Sequence, residues 1–291
     1  MASWKIGVIG GSGLYEIDAL EDPRWITVET PWGSPSDQLL TGRIGAVEFV
    51  FLPRHGRGHR LAPSDVNARA NVDALKRAGC TDVVAISAVG SLREEYAPGQ
   101  FVVVDQFIDR TFAREKSFFG PGMVAHVSIA DPTCPRLSGL CGDAASAVGA
   151  AVARGSTYLA MEGPQFSSRA ESLLYRQWGC DVIGMTAMPE AKLAREAELP
   201  YALVGMVTDY DCWRDGEDVV EVSSVIAQLM ANADVGRKLV VQLAKLLPNE
   251  RAPSPIDTAL DSAIITAPEA RDPVLLAKLD AVCARVTAAQ R

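Results

Sequence analysis

Six short runs of apolar and β-branched residues recur along the chain: 4–9 (WKIGVI), 47–53 (VEFVFLP), 82–89 (DVVAISAV), 101–105 (FVVVD), 181–186 (DVIGMT) and 201–207 (YALVGMV). Several are apolar at consecutive rather than alternate positions. That pattern predicts strands covered on both faces, as in the middle of a parallel or mixed sheet. The segments between them have helical spacing. Residues 64–79 open on Ser64, a cap candidate, and close on Gly79. Residues 167–179 carry Ser168 with Glu171 three positions on, a capping-box pattern. Residues 189–198 favour helix by propensity, and 222–247 predict a long amphipathic helix. Strands alternating with helices predict the α/β class: one domain, with a central mixed β-sheet flanked by helices. It is expected to span residues 1–250. Residues 251–273, with four prolines, predict a partly extended linker, and 274–290 a last helix, so that 251–291 would pack on the same domain.

Net charge is −8. Such a chain has no general attraction for nucleic acid or anionic membranes, so any anion it binds must meet a local cationic site. No apolar run approaches the roughly 18 residues of a membrane span, and residues 1–13 suit a first strand rather than a secretory signal. The six cysteines contain no C-x-x-C pair, which argues against a zinc site. Reduced thiols in a cytoplasmic enzyme are the simpler expectation, and a disulfide set in a secreted protein the alternative.

Ligands of open α/β sheets bind beyond the carboxyl ends of strands, so the residues after each run are the candidates. GGSG (10–13) is either a tight turn or an anion nest supplied by backbone N–H groups and Ser12. It fits neither G-x-G-x-x-G nor a Walker loop, which sets aside dinucleotide dehydrogenases and P-loop enzymes. RHGRGHR (54–60) packs Arg54, His55, Arg57, His59 and Arg60 into seven residues. Like charges this close repel unless an anion lies among them, and guanidinium forks suit phosphate. The alternative is a solvated basic loop. Ser87 and Thr186 each place a hydroxyl at a strand end. Phe166 follows a Gly-Pro turn and is either a core aromatic or a platform for a planar base. Asp209 and Asp211 close the last strand. They either cap the next helix or, pointing the same way on extended chain, present acceptors to a ligand edge such as a purine's.

GGSG, RHGRGH, NARAN, SAVGSL, DQFIDRT, EGPQFSSRAE, MTAMPE and TDYDCW, in this order between about Ile6 and Leu247, resemble the 5′-methylthioadenosine phosphorylases of the trimeric purine nucleoside phosphorylase family. The resemblance implies a phosphorylase fold, a homotrimer with active sites near subunit interfaces, and phosphorolysis of methylthioadenosine to adenine and 5-methylthioribose 1-phosphate. It implies no metal or organic cofactor, inorganic phosphate being a co-substrate. Carried over by position, it implies that Ser12, Arg54, His55, Ser87, Ala88 and Thr186 hold phosphate, with Ala88 also lining the base site. Phe166 would line the base and Met185 the ribose. Asp209 and Asp211 would be the catalytic acids at the purine edge. His126 would reach a neighbour's site near the 5′ group, Val222 and Ile226 would wall the methylthio group, and Ser167 would bear on substrate choice. Ser12 and Ser87 stand where the family often has threonine, and Ala187 where a second threonine is familiar. The nearest alternative is a phosphorylase of methylthioinosine or 6-oxopurine nucleosides; a non-catalytic nucleoside-binding protein is more distant.

Overall fold

The computed structural model describes residues 3–11, 13–214 and 222–288, with 222–225 as backbone only. β1 (Lys5–Gly10) lies between β4 (Val47–Pro53) and β5 (Asp82–Ser91), parallel to both. This is the doubly covered centre that the consecutive apolar runs predict. β2 (Glu21–Ile26) and β3 (Leu39–Ile44) extend the sheet antiparallel beyond β4. β6 (Phe101–Asp109), β7 (Val152–Ala160), β8 (Val182–Gly184) and β9 (Tyr201–Asp209) continue it on the other side of β5. The order is β2-β3-β4-β1-β5-β8-β7-β6-β9, and β9 pairs back onto β5, so the last five strands close on themselves.

That closure makes β5 a fork. One edge pairs with β9 from Val83 to Gly90. The other edge pairs with β1 only as far as Ala85, and β8 takes it over antiparallel at Gly90 and Ser91. Residues 86–89 therefore have no strand partner on that edge among the described residues, at the point where the strand order reverses, which is where α/β sheets hold ligands.

Alternate faces of β5 and β9 feed two cores. Ala85, Val89, Leu203 and Val207 pack with residues of α1 (Ala68–Arg77) and α4 (Ala187–Glu196). Val84, Ile86, Val204 and Met206 pack with residues of α2 (Pro135–Ala147) and α5 (Val222–Leu246). A buried side chain of this size contributes about 1.5–3 kcal/mol, which fixes β5 between the layers. α3 (Arg169–Gln177) starts at the Ser168–Glu171 capping box that the sequence predicts.

Local details depart from the sequence reading. α1 is capped by Asn67, whose side chain accepts from the Ala70 N–H; Ser64 lies in a separate 3₁₀ turn. The predicted last helix is two short ones, α6 (Pro273–Lys278) and α7 (Ala284–Ala288), because the chain turns between them to bury Leu279, Val282 and Cys283. Linker residues Leu260 and Ala263 join the same core cluster as the sheet. The six cysteines are free. Among the described residues no helix is long and apolar enough to cross a membrane, and no three His, Cys, Asp or Glu side chains are placed to hold a metal.

Candidate active site

Arg54 follows β4 directly, and its guanidinium is buried, 2% exposed, under the open edge of β5. Nη1 donates to the Ile86 carbonyl at 3.1 Å and Nη2 to the Ile9 carbonyl at 3.3 Å, so one side chain joins the ends of β1 and β5. Nε and Nη2 also meet the Glu190 carboxylate at 2.5 and 3.2 Å. Ser87 and Thr186 come together here: their hydroxyl oxygens are 2.9 Å apart. Thr186 occupies the N-cap position of α4 without capping it through its side chain, which leaves the hydroxyl turned toward Ser87. Ala88, half-buried, is next on the strand. Ser12 lies outside the described residues.

The basic loop is not the open cluster of charge that the sequence suggests. Arg57 turns away to Asp37, Nη2 to Oδ1 at 2.8 Å, and lies over the Trp25 ring. Arg60 donates to the Ser36 carbonyl at 3.0 Å. Burial, with the neighbouring Arg54 charge, pushes His55 down to about 4, so at neutral pH it is uncharged. Its Nδ1 is 2.9 Å from the Leu61 carbonyl, which makes that nitrogen the donor in the neutral ring, and the ring stacks on His59. Protein carboxylates supply much of the negative charge that this run of cations requires.

Further along β5 the acids appear. Gly90 pairs with Asp209, and Ser87 with Gly205, in the β5–β9 register. Three residues of strand separate Ser87 from Gly90, roughly 10 Å at about 3.3 Å per residue. Asp209 ends β9 and Asp211 has φ of +53°, so the two acids do not project together from extended chain. Asp209 Oδ1 instead accepts the Asp211 N–H at 2.7 Å, and Oδ2 the Thr208 hydroxyl at 2.7 Å. The strand ends here because Asx-type bonding competes with the ladder. Gly90 makes room for this: a Cβ there would lie 3.0 Å from Asp209 Oδ1 and 3.1 Å from Ile183. Burial raises the Asp209 carboxyl, against the opposing bonds from Thr208 and Asp211. Asp211 is also raised, by burial first; the nearby Ser172 hydroxyl opposes it and the Asp209 charge adds to it. The buried Oδ2 of Asp211 has no partner at hydrogen-bond geometry among the described residues, although the Ser172 and Ser167 hydroxyls lie near enough to act on the carboxyl. Trp213 anchors the loop by donating from Nε1 to the Ser91 carbonyl at 2.8 Å, with Arg176 over its ring.

A third wall is the loop after β7. Glu162 accepts from the Phe112 and Ala113 N–H groups at 2.6 and 3.2 Å and from Arg114 Nε at 3.1 Å. Gly163 sits against Met185, where a Cβ would lie 2.5 Å from the sulfur. Phe166 is 47% exposed, which rules out a core role. Ser167 accepts a hydrogen bond from the Cys212 thiol through its carbonyl at 3.2 Å, tying this loop to the acid loop.

Not every candidate joins the group. His126 is exposed, donates its backbone N–H to Ala263, and lines a separate cavity of about 420 Å³ with Phe119, Val124 and Lys192. Ile226 is exposed near the start of α5, and the side chain of Val222 lies outside the described residues. Sequence reading missed Glu190, Glu162 and Arg114. The signal for Glu190 was an acid four residues after Thr186 at a strand-to-helix junction, masked by its helical propensity.

The phosphorylase superfamily profile matches residues 5–245. The chain is 64% identical over 283 residues to the S-methyl-5′-thioadenosine phosphorylase of Cereibacter sphaeroides, covering 97% of this chain and 98% of that one. It is 58% identical to the protein of the same name from Bradyrhizobium diazoefficiens, covering 98% and 99%. The crystal structure of a methylthioadenosine phosphorylase from an Antarctic soil metagenomic library superposes with a TM-score of 0.91 at 45% identity, covering 97% of this chain and 99% of that one. A methylthioadenosine phosphorylase from Schistosoma mansoni, crystallised with adenine, gives 0.79 at 38% identity, covering 86% and 93%. With this fold, this strand fork and these relatives, the chain belongs to the phosphorylase superfamily, in the branch of the S-methyl-5′-thioadenosine phosphorylases.

Proposed function

We propose that the protein cleaves the N-glycosidic bond of 5′-methylthioadenosine with inorganic phosphate, giving adenine and 5-methylthioribose 1-phosphate. The feature that carries this reading is the fork of β5, with the Ser87–Thr186 hydroxyl pair at one end of its open edge and Gly90, the register partner of Asp209, roughly 10 Å further along the strand by backbone rise. Breaking a ribose–adenine bond builds positive charge on the sugar and negative charge on the base. An oxyanion and a proton donor on opposite sides of one sugar lower that barrier by position and electrostatics alone. Ser87, Thr186, the remaining Arg54 N–H, His55 and Ser12 hold phosphate, with Ala88 between phosphate and base. Met185 lies against the ribose and Phe166 against the base. Burial raises the Asp209 carboxyl, which favours its neutral form, and in that form it donates toward N7 of the leaving purine. The unpartnered Asp211 oxygen accepts from the 6-amino group. A 6-oxopurine sets acceptor against acceptor there, at a cost of about 1–3 kcal/mol.

Ile226 and Met230, four positions apart and both exposed on α5, supply an apolar wall for the methylthio group together with Val222, and Ser167 bears on the fit. The reaction as read needs no metal or organic cofactor. Phe112 at 82% exposure and, on or just after α3, Leu173, Leu174 and Trp178 form apolar surface beside the base loop. This surface suits a subunit contact in a homotrimer, with His126 approaching a neighbour's 5′ site. We read the enzyme as cytoplasmic. The test is turnover of methylthioadenosine, methylthioinosine and inosine on one sample, with and without phosphate. The reading requires phosphate-dependent cleavage with methylthioadenosine preferred at least about tenfold; equal or better turnover of inosine contradicts it.

A further inference from the structure

Two arginines line the small cavity beside Thr186, and neither is free to act as a bare cation. Arg114 uses all five of its N–H donors. Nη1 serves the Met185 and Met188 carbonyls, Nη2 the Glu162 carbonyl and Ser64 hydroxyl, and Nε the Glu162 carboxylate. Arg54 uses four: Nε and one Nη2 donor on Glu190, the other Nη2 donor on Ile9, and one Nη1 donor on Ile86. The remaining donor is on Nη1, the nitrogen that bonds the carbonyl just before Ser87. Each guanidinium is matched by one carboxylate, the buried Glu190 or the half-buried Glu162, and neutral His55 adds no charge. Glu190 is itself held from behind by the Tyr201 hydroxyl, which donates to Oε2 at 3.2 Å.

We propose that Glu190 is a positioning residue that sets phosphate affinity: it aims Arg54 at the oxyanion while cancelling most of its charge. This rests on the reading of Arg54 as a phosphate ligand. An anion then meets one guanidinium N–H, two hydroxyls and backbone donors, with no excess of positive charge. Such a site binds both inorganic phosphate and a sugar phosphate product moderately, and releases the product. Tighter binding of both would lower KM without raising turnover. Tyr201 draws charge from Glu190 away from Arg54 and so works in phosphate's favour.

The test is the Kd of inorganic phosphate by calorimetry on four full-length proteins, with circular dichroism as the folding control. Glu190→Gln keeps an acceptor for Arg54 but removes the competing charge, so phosphate should bind about tenfold tighter or more, with kcat reduced and KM for methylthioadenosine changed less than about twofold. Tyr201→Phe should act in the opposite sense, weakening phosphate about two- to tenfold. Arg54→Met should remove measurable phosphate binding. Unchanged or weaker binding in folded Glu190→Gln overturns the proposal and leaves the pair purely structural. If Glu190→Gln does not fold, unchanged or tighter binding in Tyr201→Phe overturns it. Unchanged binding in Arg54→Met instead removes the phosphate reading beneath both.

Discussion

Asp209 carries opposite demands. Burial raises its carboxyl, which favours the neutral acid needed at a purine nitrogen, and the same burial penalises the charged form. Because the folded-state value lies above the unfolded one, the native protein binds the extra proton. Stability linked to this group is therefore present below the unfolded carboxylate range and lost as pH rises through the folded value. Asp209→Asn should lower kcat by about 100-fold or more while leaving the melting temperature at neutral pH unchanged or higher; a variant with normal kcat removes the acid role. Turnover of the native enzyme should also fall as pH rises through the raised value. Ser87, Thr186, Asp209 and Asp211 could be read from sequence because each ends an apolar run. Glu190 could not, because its role depends on Arg54, 136 positions away, folding beneath the same strand. His55 stood out as a candidate in the sequence, but its neutrality was not readable there, since that comes from burial beside Arg54.

Glu162 and Arg114 act at the level of elements, tying the loop after β7 to the start of α4. Burial alone pushes Glu162 up, but bonds from Ser64, Phe112, Ala113 and Arg114 hold it at about 2. Its contribution to stability is full above the unfolded value near 4.5 and is lost as pH falls toward about 2. Glu162→Gln should lower the melting temperature at pH 7 and flatten its decline between pH 4.5 and 2; a parallel decline in both proteins contradicts this. Gly90 is the matching device between β5 and β9. Gly90→Ala places a Cβ 3.0 Å from Asp209 Oδ1, and should reduce kcat about tenfold or more while leaving phosphate Kd nearly unchanged. Equal damage to both would show that the phosphate and base ends are not separately built. β2, β3 and β7 were not found from sequence: β2 is an exposed edge, β3 carries Thr41, Gly42 and Arg43 in its middle, and β7, although paired on both sides, opens on half-buried and exposed residues before Tyr158. Unbroken apolar runs announce fully covered strands, whereas strands with exposed or polar stretches take their identity from their partners, at an edge or inside the sheet.

Across the whole molecule, the closing segment behaves as part of the core. Arg251 pairs with Asp82 at 2.5 Å and Asp257 at 2.6 Å, fastening the chain to the start of β5. Arg285 on α7 pairs with Glu198 at 2.6 Å. Ending the chain at residue 250 would expose the surface now covered by Leu260, Leu279, Val282 and Cys283, so the shortened protein should be largely insoluble or melt well below the full chain. A soluble protein with an unchanged melting temperature contradicts that assignment. The α/β class was legible in the pattern of runs, and so were the strand ends where the candidate residues lie. The closure of β9 onto β5, which creates the fork, was not, because strand order depends on contacts far apart in sequence.

The proposed chemistry depends on phosphate and purine meeting across the open edge of β5. A crystal structure of the protein with phosphate and adenine bound together tests this most directly. Phosphate oxygens should lie within about 2.6–3.2 Å of the Ser87 and Thr186 hydroxyls and of Arg54 Nη1, with the adenine N7 at the same range from Asp209. Phosphate in the cavity beside His126 and Lys192, or adenine away from Asp209 and Phe166, would contradict it.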